Sequence, residues 1–210
     1  MYKVVIIGGG WAGCAAALSA KKAGAQVILL EKTDLLLGLG NVGGIMRNNG
    51  RFTAAEENIV LGASELFSIT DSCSRHVNIN FPGHEHASLY DVLKVEPNVR
   101  RLLKEQGIEV KFRARAVDVV LAKQTAAITI EKLVLAGGEK IEGDVFVETT
   151  GSTGPMGNCL TYGNGCCMCI LRCPAFGPRV SISAKAGGSD IMGKRKDGAF
   201  GAFSGSGKIE

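Results

Sequence analysis

YKVVIIGGGWAGCAAALSAKKAGAQVILLEK, residues 2–32, is the stretch on which the fold turns. Val4 to Ile7 is a continuous run of β-branched residues, the pattern of a strand buried on both faces of a parallel sheet. Gly8, Gly10 and Gly13 follow immediately with G-x-G-x-x-G spacing. Cys14 to Lys22 is rich in Ala and predicts a helix that ends near Gly24. Val27 to Leu30 predicts a second strand, with Glu31 at its end.

Each position has a physical reason. Gly8 permits a tight turn, Gly10 has no side chain to block a pyrophosphate, and Gly13 lets helix and strand approach closely. The start of the helix presents unpaired N–H groups suited to phosphate oxygens. Glu31 stands at the distance from the turn where an acid accepts hydrogen bonds from ribose hydroxyls. A G-x-G-x-x-G alone is weak. Strand, turn, helix, strand and acid in one unit predict a Rossmann-like dinucleotide site. The competing reading is an Ala/Gly-rich βαβ turn that binds nothing.

The residues beyond Glu31 bear on which dinucleotide. LLLGLGNVGGIM, residues 35–46, is a second Gly-rich loop directly after the acid. With the first unit it resembles the FAD-dependent oxidoreductase family of the glutathione-reductase-like flavoprotein superfamily, whose relatives include heterodisulfide-reductase-like and tRNA-modifying flavoproteins. Two later segments extend the resemblance. LLKEQGIEVKFRARAVDVV, residues 102–120, predicts helix, Gly turn and strand. GGEKIEGDVFVETTGS, residues 137–152, predicts a hairpin turn and a buried strand ending at Thr150 and Gly151, with Thr149 where such proteins usually carry Ala.

The resemblance implies an α/β fold with a central parallel sheet, a small β insertion and an incomplete second domain. It implies FAD as cofactor, held by Gly8, Gly10, Trp11, Ala12 and Gly13 at the pyrophosphate and by Glu31 at the ribose. Lys32, Gly38, Leu39, Asn41 and Gly43 would border the same site, Ala116 and Val117 would meet the adenine through backbone groups, and Thr150 and Gly151 would line the other side. Residues 1–152 are expected to form the FAD-binding domain. Residues 153–210 would begin a substrate or cap domain with a Cys-rich segment and a Gly-rich tail.

After Ser152 the resemblance fades. The closing Gly-Asp segment that contacts the flavin end in such proteins has no convincing counterpart, since Ser189-Asp190 and Lys196-Asp197 have the wrong neighbours. The expectation is an N-terminal flavoprotein chain completed by a second polypeptide, either a separate subunit or a cleavage product, and acting on a small-molecule substrate. The alternatives are a flavin plus iron–sulfur electron-transfer subunit, a tRNA-modifying flavoprotein, and a non-catalytic nucleotide-binding module.

The middle of the chain carries fewer signals. Residues 51–69 show helical spacing, and a helix lies within residues 88–107, its second part starting at Pro97. His76, His84 and His86 fall in HVNINFPGHEH, read as a loop, where exposed or hydrogen-bonded imidazoles are favoured over metal ligands. Residues 123–143 alternate as a half-exposed hairpin would. No catalytic residue is assigned.

Cys166, Cys169 and Cys173 are spaced C-x2-C-x3-C, with Pro174 after the last. As a helix they would share one face, which Pro174 would end. They also match the last three ligands and the proline of a ferredoxin set, but Gly163 stands where the first ligand belongs, with Cys167 off pattern and Cys159 at a distance. A thiol near the flavin is the third reading. Zinc is weaker, for want of two separated ligand pairs.

Composition narrows the class. The 210 residues are 46% hydrophobic and 21% charged, ordinary for a globular protein. A net charge of +4, scattered along the chain, argues against nucleic acid. No apolar run is long enough to span a membrane, and the first residues do not read as a signal peptide. A cytoplasmic protein is therefore expected, and in that compartment seven cysteines argue against a disulfide scaffold.

Overall fold

The structure is a computed structural model that describes residues 1–42, 47–48, 54–82, 84–123, 128–151, 164–166, 173–188, 190 and 206–208. Three parallel strands form its centre: β1 (Lys3–Ile7), β2 (Gln26–Leu30) and β6 (Glu109–Lys111). A fourth, β10 (Val145–Glu148), pairs in parallel with β1, giving the order β10-β1-β2-β6. The helix α1 (Trp11–Lys22) crosses over between β1 and β2. It begins three residues earlier than the Ala-rich run suggests, because Gly10 takes the extended N-cap conformation and Trp11 is already helical.

The continuous apolar runs of β1 and β2 are explained by two covers. Val4, Ile6, Val27 and Leu29 face one way, toward Cys14, Ala17 and Leu18 of α1 and toward Val95, Val99 and Leu103 of α5 (Val92–Glu105). Val5, Ile7, Ile28 and Leu30 face the other way. They meet Leu133, Leu135 and Ile141 from a three-stranded antiparallel sheet made of β7 (Ala116–Lys123), β8 (Ile128–Leu135) and β9 (Lys140–Glu142). Successive strand residues point to opposite faces, so two covered faces demand apolar residues at every position. The chain is thus helix, parallel sheet and antiparallel sheet in three layers. The parallel centre and the β insertion match the expected architecture.

Several local readings change. Residues expected as a His-bearing loop form two antiparallel strands, β4 (Ser74–Phe81) and β5 (His84–Tyr90), extended by β3 (Arg47–Asn48). The pairing contains register shifts, and Asn78 has a positive φ of 58°, so the apolar alternation that announces a strand is broken in the sequence. Pro97 does not start a second helical part. It lies inside the single helix α5, whose Leu93 carbonyl loses its i+4 donor at a position where Leu93 is itself exposed. The helical stretch before it is divided into α3 (Ala54–Asn58) and α4 (Ser64–Ser72). A π-type turn, Ile59–Ala63, joins them, with Gly62 at φ 105°. The strand expected to be buried up to Thr150 is only half-buried: among the described residues β10 has one neighbour, β1, and Val145 is exposed.

Beyond Gly151 the described residues are three short stretches, 164–166, 173–188 and 206–208, and residue 190. β11 (Asn164–Cys166) pairs with β12 (Ser206–Lys208), and α6 (Cys173–Phe176) precedes α7 (Ile182–Lys185). Ile182 is 2% exposed and joins the core on the antiparallel-sheet side.

Candidate functional site

The glycine turn sits where β1 ends and α1 begins, and its three glycines serve different purposes. Gly8 has φ 108°, and a Cβ there would run into the Thr149 carbonyl. A Cβ on Gly13 would collide with the Gly8 carbonyl. These two are required by the protein's own backbone. Gly10 is different: among the described residues a Cβ there would meet nothing within 4 Å. Its extended backbone (φ −68°) would also accept a side chain. No side chain caps the helix at this point, and its first turn contains no acid. The open face of Gly10 therefore carries the unpaired N–H groups of the helix start.

Glu31 closes the turn from the β2 side. Its carboxylate, in a residue 5% exposed, accepts the Gly9 N–H at 2.7 Å and the Thr33 N–H at 2.8 Å. Each oxygen keeps a second lone pair. Lys32 points elsewhere, its Nζ donating to the Gly177 carbonyl at 2.9 Å.

The second Gly-rich loop lies directly against the first. Leu37 N–H donates to the Gly9 carbonyl at 2.7 Å, and Gly38 comes close to Gly10. Gly38 and Leu39 begin the short helix α2 (Gly38–Val42), which also contains Asn41. Gly43 lies outside the described residues.

An aromatic group fixes this loop. The Trp11 ring stacks on Phe67 (centroids 6.4 Å apart, planes at 11°) and meets Tyr90 edge-on at 6.1 Å. Gly40 packs so tightly on the Trp11 ring that a Cβ would collide with its Nε1, and Tyr90 Oη donates to the Gly40 carbonyl at 2.6 Å. Burial raises the pKa of the Tyr90 hydroxyl, with a hydrogen bond from Trp11 opposing, so it stays protonated as a donor at neutral pH. Glu96 of α5 holds the same loop from beneath. It is 3% exposed, accepts Leu36 N–H at 3.1 Å and pairs with Arg100 at 2.6 Å. Arg100 also donates to the Asp34 carbonyl.

On the far side of the turn, Thr149 Oγ1 lies 2.8 Å from the Gly8 carbonyl and 3.0 Å from that of Ile7. The Thr in place of Ala is thus a tie to the glycine turn. Thr150 Oγ1 donates to Glu148 at 2.7 Å and accepts from Arg179 Nε at 3.0 Å. Arg179 is held by two hydrogen bonds to Asp190, at 2.8 and 2.9 Å. Gly151 follows with φ 104°. For Glu148, burial acts to raise the pKa. The Ser183 hydroxyl and N–H, the Thr150 hydroxyl and Arg179 outweigh it, and the net effect is a carboxyl below its ordinary range.

The structure thus brings Gly8, Gly10, Trp11, Ala12, Gly13, Glu31, Gly38, Leu39 and Asn41 together around one turn, with Thr150 and Gly151 beside it. Ala116 and Val117 start β7, Ala116 buried at its pairing with Leu135. Lys32, beside Arg113, Arg115 and Phe176, lines a separate open cleft of about 500 Å³. Glu96, Tyr90 and Arg179 were not anticipated. None carries a local motif, and their contacts cross 50, 60 and 29 residues of sequence for Tyr90–Gly40, Glu96–Leu36 and Arg179–Thr150.

The cysteines divide. Cys166 lies on β11 and Cys173 opens α6, so the single helix face joining Cys166 to Cys173 is not formed. Pro174 sits in the first turn of α6 instead of ending a helix, a position where its missing N–H has no partner to lose. Cys159, Cys167 and Cys169 lie outside the described residues. Among the described residues no three His, Cys, Asp or Glu side chains gather as a metal site.

The glucose inhibited division protein A family matches residues 3–206. The chain belongs to that family. It is an FAD-binding flavoprotein family, so the cofactor class expected from the glycine turn is also that of the family. Among solved structures, CtdE in complex with FAD is 18% identical with a TM-score of 0.51, over 76% of this chain and 40% of CtdE. The Diels-Alderase PyrE3 of pyrroindomycin biosynthesis is 16% identical with a TM-score of 0.49, over 79% of this chain and 35% of PyrE3. THI4 of Thermovibrio ammonificans is 20% identical with a TM-score of 0.44, over 64% of this chain and 46% of THI4. At 18% identity the likeness to CtdE is one of fold. The chain spans less than half the length of these structures. No curated protein matches significantly. Among the described residues no helix is long and apolar enough to cross a membrane.

Proposed function

We propose that this chain holds FAD across the Gly8–Gly13 turn and belongs to an FAD-dependent oxidoreductase. The observation that carries the reading is Gly10. Two of the three signature glycines are explained by the protein's own packing, and the third is not. A residue that the fold does not need small is needed small by something else, and the open face of a helix start selects a phosphate. Family membership supports flavin as the nucleotide.

In this reading Gly10, Ala12 and Gly13 bind the pyrophosphate through backbone N–H groups, and the remaining lone pairs of Glu31 accept from ribose hydroxyls. Thr150 and Gly151 border the flavin side. Bound FAD would supply hydride or electron transfer, while the chain orients it and shields it from water. Residues 1–152 carry the cofactor, and residues 153–210 begin a substrate or cap domain. In this reading a second polypeptide, a separate subunit or a cleavage product, completes the isoalloxazine side.

The test is an absorption spectrum of the purified protein, with the released cofactor identified by mass. One FAD per chain is expected, and bleaching on anaerobic reduction would show that it turns over. A released nucleotide other than flavin would overturn the reading. Iron and acid-labile sulfide in the same sample would favour the iron–sulfur alternative. Retention of tRNA at low salt would favour the tRNA-modifying one.

A further inference from the structure

Arg179 is a buried cation in the short loop between α6 and α7, its side chain 10% exposed. Each of its three nitrogens has an acceptor. Nη1 and Nη2 donate to the two oxygens of Asp190 at 2.9 and 2.8 Å, a parallel pair that fixes the plane of the guanidinium. Nη2 also lies 3.3 Å from Glu148. With the fork set in this way, the direction of the remaining Nε–H is set too, and it donates to Thr150 Oγ1 at 3.0 Å. Taking a guanidinium and two carboxylates out of water is costly, and their mutual attraction does little more than offset the cost. What such a cluster adds is orientation more than stability.

Two roles are open to it. One is to dock residues 179–190 on the end of β10. That docking has ties of its own: Glu148 accepts from the Ser183 N–H and hydroxyl, and Ile182 enters the core with Ser181 fully buried beside it. The Nε–H bond reaches further, to the residue at which the chain runs over the glycine turn. Thr149 Oγ1 bonds the Gly8 carbonyl, and a Cβ on Gly8 would come 3.1 Å from Thr150 Cα. Thr150 therefore lies on the turn itself. Gly151 follows at φ 104°, exposed, and among the described residues nothing comes within 4 Å of where its Cβ would be. The backbone is thus tied down through Thr150 and opens at Gly151, beside the glycine turn. Resting on the flavin reading above, we infer that Arg179 is a positioning residue for the cofactor. Aimed by Asp190 and Glu148, it holds Thr150, and through it the Gly151 backbone, at the flavin side of the turn. A residue from the segment after Gly151 thereby helps to seat the nucleotide held by residues 1–152.

Binding of ADP and FAD separates the two roles, because ADP carries the adenosine and pyrophosphate but not the flavin end. The protein as purified, with any companion polypeptide, is stripped of cofactor and titrated with each. Arg179→Lys keeps the charge but not the fork, so it cannot pair with Asp190 and reach Thr150 together. Thr150→Val removes the hydroxyl and keeps the shape. Each variant is expected to bind FAD about tenfold more weakly, with ADP affinity within about twofold of wild type. Retained ADP binding also shows that the variant is folded. Because Arg179 acts through Thr150, the double variant should bind FAD no more than about twofold more weakly than the worse single one. A docking role alone would leave the FAD-to-ADP ratio unchanged. FAD affinity within about twofold of wild type in Arg179→Lys, equal losses for both ligands, or losses that multiply to about a hundredfold in the double variant would each overturn the inference. Should Arg179→Lys fail to fold, Thr150→Val decides alone: FAD binding like that of wild type would show that the tie to Thr150 positions nothing. Wild-type protein that binds ADP but not FAD would instead overturn the flavin reading itself.

Discussion

The Glu31 carboxylate accepts the Gly9 N–H at 2.7 Å across the mouth of the glycine turn. The acid is therefore part of the turn's construction as well as a candidate ribose acceptor. Glu31→Gln tests the first role. A glutamine has one carbonyl oxygen, so either the Gly9 N–H or the Thr33 N–H would face an amide N–H₂. The expected cost is about 1–3 kcal/mol, read from chemical denaturation of cofactor-free protein. Unchanged stability would remove the structural role and leave only the ribose.

Gly10 and Gly13 should separate binding from folding. Gly13→Ala drives a methyl into the Gly8 carbonyl and against Thr149, both fixed by the backbone or by a hydrogen bond to it. A loss of at least about 1–3 kcal/mol in stability is expected. Gly10→Ala meets no atom of the described residues, so its stability should stay within about 0.5 kcal/mol of wild type. Its affinity for FAD should nonetheless fall by about tenfold or more, since the methyl occupies the pyrophosphate position. Thermal melts and flavin titrations of both variants give the answer. A Gly10→Ala protein that binds FAD normally would take away the observation on which the proposed function rests.

The central unit was legible because its causes are local in sequence. The glycine spacing, the double-faced apolar strands and Glu31 lie within about thirty residues and answer to steric rules that do not depend on the rest of the chain. The hairpin carrying His76 and His84 was not legible, because its register shifts break the alternation by which a strand is read. Thr149 looked like a neutral departure until its hydroxyl was placed on the Gly8 carbonyl. Glu96 and Arg179 were invisible for a different reason. A buried carboxylate that holds a backbone N–H of another element, or a guanidinium that donates to a distant hydroxyl, leaves no periodic or motif signal at either end. The helix face expected of Cys166 to Cys173 had the right spacing but met a strand at Cys166 and a proline in the first turn of a helix.

Glu148 should make the attachment of residues 179–190 sensitive to acid. Its carboxylate receives Ser183 and Thr150 and pairs with Arg179. Burial alone would raise its pKa above the ordinary 4.5, but these donors hold it lower. A group whose pKa is depressed by folding contributes stability above its unfolded value, and that contribution is lost as pH falls through the folded value. Glu148→Gln should therefore be less stable than wild type at pH 7, and the gap should narrow below about pH 4. Denaturation midpoints at both pH values measure it. A gap that stays constant would show that the charge on Glu148 contributes nothing.

Cys14 provides a prediction about reactivity. It lies one residue past Gly13 at the start of α1, where a helix dipole would ordinarily favour a thiolate. Here the thiol is pushed the other way, up to about 12, first by burial and then by the neighbouring negative charge of Glu31. Its Sγ also lies 3.5 Å from the Gly9 carbonyl, an acceptor that favours the protonated form. At pH 7 the thiolate fraction is negligible, and Cys14 is 0% exposed. Native protein treated with iodoacetamide and mapped by mass spectrometry should carry no label on Cys14, whereas the half-exposed Cys173 should react. In denaturant both should be labelled. Removing the charge should not expose the thiol, so Glu31→Gln should leave Cys14 unlabelled below its unfolding transition. Rapid labelling of Cys14 in folded wild-type protein would mean that the turn opens far more readily than its hydrogen bonds allow.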